Sequence, residues 1–333
     1  MKILHVNEKP PVIGYQTHAY PFSIIATSND YLPWFYCNYI QLVCHLDFSN
    51  NRDIHLDFLT NYFFLNYPQG FPCLKSHFVK RRLISENYKG GVQQYIKDNL
   101  INNRYVLTWV DEYDLSSRRS YGKRHYFHDL LIYGYDESSF YTLGFDKDRL
   151  YKNVKIPFCE LQSLEVTFPH WDIKIFIIEK DHDYVFEYDH MLTKQYLHEY
   201  ANSLNSLHRF RGLANQNEPL AVGIETYDVI LEYLKVLEKG ETRLDVKPFH
   251  IIWEHKKFMT ERIHFLLENH YINNYEMLDE FRNLENEALI MRNLMLKYDV
   301  SRRPEILKKI SKIIAKIKSM EKPLLDKLLS LLN

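Results

Sequence analysis

The sequence predicts an α+β fold, in which an antiparallel sheet occupies the first part of the chain and an all-α helical bundle follows. Between positions 105 and 146 lie three short runs rich in Val, Leu, Ile and aromatic residues, each closed by turn residues. Such runs are typical of adjacent strands. Beyond about residue 188, apolar residues recur instead at helical spacing. We therefore divide the chain into domains at 1–187 and 188–333.

The first predicted helix lies in the run that begins at Ser28, a residue type that caps helices well. Residues at three- and four-residue steps along it are Trp34, Cys37, Ile40, Gln41 and Cys44. This spacing predicts a helical face that carries both cysteines. A cysteine near a helix N-terminus favours the thiolate, so Cys37 is a candidate nucleophile and Ser28 a fallback. A buried core cysteine is the alternative interpretation.

An amphipathic helix at 92–101 leads into the predicted sheet. Its strands are expected at Tyr105–Val110, Leu130–Tyr135 and Phe140–Phe145. The link between the last two is short enough to make them a hairpin. Further strands are expected between 151 and 180, where the segment 173–178 is apolar.

Polar residues at the ends of two of these strands indicate chemistry. His128 stands where one strand begins, and Asp146 stands where its partner stops. In an antiparallel pair these two ends lie side by side. A carboxylate next to an imidazole fixes its tautomer and stabilises the imidazolium, as a cysteine or serine nucleophile requires. Ordinary strand-end polarity is the alternative interpretation.

The polar segment that precedes His128 is expected to be an exposed connection near this site. The candidate substrate-binding residues are Asp111, Tyr113, Tyr121 and Lys123. His125 and His128 lie three residues apart without a nearby carboxylate motif, which is weak evidence for zinc, so we expect no metal. With only 10 Gly and no glycine-rich phosphate loop, the chain is not expected to hold a nucleotide cofactor.

Parts of this region resemble a known family. VDEYDL at Val110–Leu115 and HDLLIYGYD at His128–Asp136 resemble the butirosin biosynthesis protein H N-terminal family, whose members accompany nonribosomal peptide and other natural-product assembly enzymes. His128, the Gly134-Tyr135 pair and a strand that ends at Asp146 are similar to the second half of the papain-like fold. The similarity covers about residues 15–170.

The resemblance implies an acyl-transfer enzyme, in which Cys37 attacks a thioester or amide, His128 moves the proton and Asp146 orients His128. It also implies an aminoacyl or peptidyl substrate that is passed either to an amine acceptor, as in a transferase, or to water, as in a thioester or amide hydrolase. A carrier protein, or the substrate on its phosphopantetheine arm, is the partner that the resemblance suggests. The sequence departs from the papain-like pattern because Tyr31 and Asn38 stand where a glutamine and a small residue are usual around such a cysteine. A catalytically inactive papain-like docking module for a carrier or assembly-line protein is therefore the alternative.

Composition limits the classes of partner and compartment. The 333 residues carry a formal net charge of −1, so we expect no general attraction to nucleic acid or to anionic membranes. The four cysteines include no CxxC pair, which suits a reducing cytoplasm. The sequence shows neither a secretory signal nor 18 consecutive apolar residues, so a cytoplasmic protein without a membrane span is expected. The many tyrosines are compatible with a homodimer.

The second half of the chain predicts an antiparallel helical bundle. Its helices are expected at about 191–209, 227–237, 248–269, 276–298 and 305–332. The polar run EHKKFMTERI at 254–263 is interpreted as ordinary helix polarity. The last helix carries Lys308, Lys309, Lys312, Lys316 and Lys318. We interpret these lysines as a solvated helix face, with contact to an acidic partner or to a membrane surface as the alternatives.

Overall fold

The fold is mixed α/β in a computed structural model that describes residues 1–48, 53–60, 68–165, 173–207 and 219–332. Its strands are β1 (Lys2–Ile3), β2 (Leu42–His45), β3 (Leu56–Phe58), β4 (Leu74–Lys80), β5 (Tyr105–Asp111), β6 (Phe127–Tyr135), β7 (Ser139–Phe145), β8 (Tyr151–Pro157), β9 (Lys174–Lys180) and β10 (Leu220–Val222). Its helices are α1 (Gln16–Ile25), α2 (Leu32–Asn38), α3 (Arg81–Asn87), α4 (Gly91–Ile101), α5 (His190–Ala201), α6 (Thr226–Glu238), α7 (Lys247–Glu268), α8 (Glu276–Ser301) and α9 (Pro304–Leu331).

The chain divides into two compact units. The first comprises Met1–Tyr31 and Leu65–Val185, and the second comprises Leu32–Phe64 and Phe186–Asn333. The second unit therefore includes the segment 32–64, which the sequence-based boundary after residue 187 assigns to the first domain.

A seven-stranded antiparallel sheet forms the first unit. Its order is β4-β9-β5-β6-β7-β8, and β1 pairs with β6 as well. The three runs predicted as strands are β5, β6 and β7, and the predicted hairpin between the last two is confirmed. Helix α1 packs on β7, and α4 packs on β5 and β6. The apolar sides of these strands are buried, as the aromatic and β-branched composition of the runs requires.

Gly134 allows the first strand to join this sheet. It pairs with Ile3, next to an irregularity of β6 in which the pairing with β7 shifts between Ile132 and Gly134. A Cβ atom at position 134 would lie 2.8 Å from the carbonyl oxygen of Lys2. Real Cβ atoms do not approach backbone so closely, so glycine is required where β1 meets β6.

The second unit combines a small antiparallel sheet with helices. The sheet has the order β10-β2-β3, and α7, α8 and α9 pack against one another in sequence order. The last four predicted bundle helices are confirmed as α6 to α9, whereas α5 ends at Ala201 and part of its predicted extension lies outside the described residues. Lys316 and Lys318 form ion pairs with Glu287 and Asp228 in the bundle, both at 2.6 Å. Within the described ranges, no helix is both long enough and apolar enough to cross a membrane.

The prediction of a helical face carrying both cysteines is wrong. Helix α2 ends at Asn38, and Cys44 lies in β2, where it pairs with Leu56 of β3. Cys37 is therefore the residue before the last one of a short helix rather than a residue near its start. The negative end of the helix dipole lies at this end, and it disfavours a thiolate.

Arg262 of α7 satisfies backbone carbonyls at this helix end. Its Nε donates to the carbonyl oxygen of Tyr36 at 2.7 Å, and its Nη2 donates to that of Tyr39 at 2.8 Å. The side chain is fully buried, and burial lowers its pKa to about 10. Because the guanidinium remains charged at neutral pH, it stabilises the C-terminal end of α2.

A buried ion pair links α7 to α9. Lys256 and Glu321 are both fully buried and in direct contact. Lys256 Nζ also donates to the Tyr200 hydroxyl at 3.1 Å and to Nδ1 of His255 at 2.9 Å. The second oxygen of Glu321 accepts from the Tyr227 hydroxyl at 2.7 Å. All three ammonium protons therefore have acceptors, which is the condition for keeping a charge in the interior.

Removing one partner of this pair is expected to destabilise the fold strongly. Glu321→Ala leaves Lys256 charged and unpaired, and we expect a loss of about 3–5 kcal/mol in the free energy of unfolding. Replacing both residues with Met should recover most of that loss, because no charge is then buried. Urea unfolding measures both effects. The control is Lys257→Ala, at the more exposed neighbouring lysine, where a change above about 1 kcal/mol would contradict this account.

Candidate functional site

Asp111 closes the connection between β5 and β6. Residues 112–126 form this connection, called the Asp111 loop below. Oδ1 of Asp111 accepts hydrogen bonds from the backbone amides of Tyr113 at 3.1 Å and Tyr126 at 3.0 Å, near the two ends of the loop. Its Oδ2 lies 2.6 Å from Nδ1 of His125. One carboxylate thus holds both ends of the loop and one imidazole.

Asp111 and His125 differ strongly in their exposure to solvent, and this difference affects the pKa of the carboxyl group. Asp111 is buried, whereas the side chain of His125 is 73% exposed. Burial acts to raise the pKa of Asp111, but the hydrogen bonds from His125 and from the two amides outweigh burial and lower the pKa. The His125 ring also stacks on Tyr113, with ring centroids 4.4 Å apart. An imidazole oriented by a buried carboxylate is able to accept or donate protons at its other nitrogen.

The outer side of the Asp111 loop presents aromatic and cationic side chains. Besides Tyr113 and His125, the exposed ones are Arg119, Tyr121, Lys123, Arg124 and Tyr126. The middle of the loop is fixed, because the amide and hydroxyl of Ser116 donate to the Glu160 carboxylate at 2.9 and 2.7 Å. The four predicted substrate-binding residues, Asp111, Tyr113, Tyr121 and Lys123, all lie in this loop or at its start.

His128 and Asp146 have separate partners. No hydrogen bond or ion pair joins the two residues in the described part of the chain. Nδ1 of His128 lies 2.9 Å from Oδ1 of Asp129. The Asp146 carboxylate lies 2.5 Å from Nζ of Lys152 and accepts from two amides of the turn that follows it. The Asp146 carboxylate therefore stabilises the turn that follows β7.

The pKa values of these two groups reflect those partners. Burial acts to lower the pKa of His128, but the Asp129 carboxylate outweighs burial and raises it. Burial acts to raise the pKa of Asp146, but Lys152 and the two amides outweigh burial and lower it. His128 is thus a stronger base than a free histidine, and the carboxylate responsible is its sequence neighbour.

Cys37 belongs to the second unit, and its side chain is fully buried. Its Sγ donates to the carbonyl oxygen of Asp189 at 3.5 Å and accepts from the Thr193 hydroxyl at 3.5 Å. Burial raises the pKa of the thiol. A thiol with these properties stays protonated near neutral pH and behaves as a core residue. The fallback nucleophile, Ser28, donates to Asp30 and accepts from Lys180.

His125 is the functional candidate that sequence patterns did not identify. Its spacing from His128 was relevant only to zinc, and the described residues contain no group of three metal-ligating side chains. The pairing of β5 with β6 could have pointed to His125, because this register places Asp111 opposite Phe127. That register brings Asp111 within reach of residues just before β6.

No protein-family model matches the chain, and the comparison with curated proteins finds no significant match.

The charge of Asp111 is expected to stabilise the loop in a pH-dependent way. Its folded pKa is lowered, so its contribution is present above the unfolded pKa of about 3.9 and is lost as the pH falls through the folded value. Asp111→Asn should cost on the order of 1–3 kcal/mol at pH 7. Its Tm should approach that of the wild type in acid. Asp114→Asn in the same loop is the control, and a Tm difference that persists undiminished in acid would contradict a role for the charge.

Proposed function

We propose that the chain is a catalytically inactive papain-like binding module, which docks a carrier or assembly-line protein in natural-product biosynthesis. The state of Cys37 carries this proposal. Its thiol is enclosed, its pKa is raised and it lies at the wrong end of a helix for activation. These properties oppose nucleophilic attack, because the thiolate is the reactive form.

The Asp111 loop is the proposed docking surface. Tyrosine and arginine are enriched at the energetic centres of protein interfaces, and cationic side chains pair with phosphate oxygens. Tyr121, Lys123 and Arg124 are exposed on a loop held by Asp111 and Glu160. Such a loop is able to meet an acidic carrier protein and the phosphate of its phosphopantetheine arm with little loss of conformational entropy.

The reactivity of the cysteines tests the first part of the proposal. Cys159 is exposed, whereas Cys37 is fully buried. A thiol-reactive probe at neutral pH should label Cys159 rapidly and Cys37 roughly tenfold or more slowly, because both thiolate fraction and access limit the reaction. Peptide mass spectrometry identifies the labelled residue, and Cys159→Ser should remove the fast phase. Fast labelling of Cys37 would refute the proposal.

Binding of a phosphopantetheine-bearing carrier protein tests the second part. Tyr121→Ala and Lys123→Ala should each weaken binding by about 1–2 kcal/mol, or roughly 5–30-fold in Kd. Titration calorimetry measures the affinity, and added salt should weaken it further because the contacts are exposed. The matched control is Lys89→Ala, at an exposed lysine before α4. Equal losses at Lys89 and Lys123 would indicate attraction by net charge rather than docking at the loop.

An acyl-transfer enzyme is the second candidate, and the His125–Asp111 pair favours it. Nδ1 of His125 lies 2.6 Å from Oδ2 of Asp111, so the pair supplies an oriented base. Turnover of a carrier-bound aminoacyl thioester that disappears in His125→Ala would favour this candidate. Turnover that disappears in Cys37→Ala and His128→Ala would favour the predicted arrangement of Cys37, His128 and Asp146.

A further inference from the structure

Arg118 is a buried cation that has no carboxylate partner among the residues that the structure describes. Only 4% of the residue is exposed, and no Asp or Glu in the described ranges forms an ion pair with it. Its Nη1 donates to the carbonyl oxygen of Phe145. Its Nη2 is buried and has no hydrogen-bond partner among the described residues. Burying a charge and leaving a donor unpaired both cost free energy, so an acceptor at Nη2 would stabilise this arrangement.

Gly144 and Tyr20 surround the guanidinium. A Cβ atom at position 144 would lie 2.6 Å from Nη2, 2.7 Å from Nη1 and 3.0 Å from the Tyr20 hydroxyl oxygen. The guanidinium therefore occupies space that any side chain at 144 would need. The Tyr20 hydroxyl is fully buried and donates to the carbonyl oxygen of Asp129 at 3.1 Å. Arg118, Gly144 and Tyr20 together are called the Arg118 cradle below.

The acidic and hydroxyl groups nearby are already engaged. The Asp129 carboxylate lies 2.9 Å from Nδ1 of His128. The Tyr151 hydroxyl lies 3.0 Å from the Ser23 hydroxyl. The described part of the chain thus supplies one carbonyl oxygen to the guanidinium and no paired negative charge.

A second polar group of the same loop is also unpaired within the described part of the chain. The hydroxyl of Ser117 is buried and forms no hydrogen bond within the described ranges, although its carbonyl oxygen accepts from the Lys147 amide at 2.9 Å. Two consecutive residues, Ser117 and Arg118, therefore carry buried donors without acceptors among the described residues. An acceptor from outside the chain that reached Nη2 of Arg118 would offset the cost of removing that donor from water.

We propose that the Arg118 cradle binds a small carboxylate, whose oxygen accepts from Nη2 and whose charge neutralises the guanidinium. One buried positive charge is matched by a monoanion, whereas a phosphate dianion calls for more cations than this site offers. The inference does not depend on the proposed docking function, because Arg118 is buried while the docking residues are exposed.

Thermal unfolding of the full chain in acetate tests the proposal. The wild type is heated at pH 7 in rising sodium acetate, with sodium chloride at equal ionic strength and sodium phosphate as parallel series. Acetate should raise the Tm along a saturating curve, because a ligand that binds only the folded state stabilises it with occupancy. Chloride should give no saturating rise, and phosphate a smaller one than acetate. Equal curves in acetate and chloride, or a larger saturating effect of phosphate, overturn the proposal.

Variants locate the effect. Arg118→Gln removes the charge, and Gly144→Ala keeps the charge but displaces the guanidinium, so both should lose the saturating response to acetate. Arg119→Gln changes the exposed residue next to Arg118 and should retain the saturating response to acetate. If Arg118→Gln does not fold, Gly144→Ala and the wild-type series still decide the question. Loss of the response in Arg119→Gln, or its survival in Gly144→Ala, would mean an adventitious ion only and overturn the assignment.

Discussion

A long polar loop connects β5 to β6, and the carboxylate of Asp111 fixes the conformation of this loop by bonding to both of its ends. A free loop of this length loses conformational entropy whenever it is ordered. Here Oδ1 accepts from amides near both ends of the loop, and Glu160 holds its middle. Leu115, fully buried, adds an apolar anchor. The orientation of His125 and the display of Tyr121 both depend on this constraint.

Local information was sufficient for the strands around this loop but not for the cysteine helix. The β5, β6 and β7 runs are apolar, aromatic and bounded by turn residues, so their composition and their tertiary environment agree. The segment from Cys37 to Cys44 satisfies a helical spacing as well, yet β2 pairs on both sides with β3 and β10. Those partners lie elsewhere in the chain, and strand pairing outweighs a weak local preference.

The chemistry of individual side chains was less predictable than the elements that carry them. Cys37 takes a hydrogen bond from Thr193, 156 residues away, so no local pattern reveals that its thiol is enclosed. His125 and His128 share one short motif, but their carboxylate partners differ. His128 pairs with its neighbour Asp129, whereas His125 pairs with Asp111, 14 residues earlier. Local sequence patterns therefore predicted the strands on either side of the Asp111 loop, whereas the fold determines which side chains meet there.

Two buried cations, Lys256 and Arg118, differ in how their donors are satisfied. Lys256 has a carboxylate, a hydroxyl and an imidazole nitrogen as acceptors, whereas the described residues supply Arg118 with one carbonyl oxygen. The next lysine, Lys257, is partly exposed, so sequence composition does not indicate which cation is internal. A guanidinium carries more donors than an ammonium and calls for more acceptors. Both terminal nitrogens and Nε of Arg262 have acceptors, whereas Nη2 of Arg118 has none among the described residues, and the carboxylate that we propose would accept from that nitrogen.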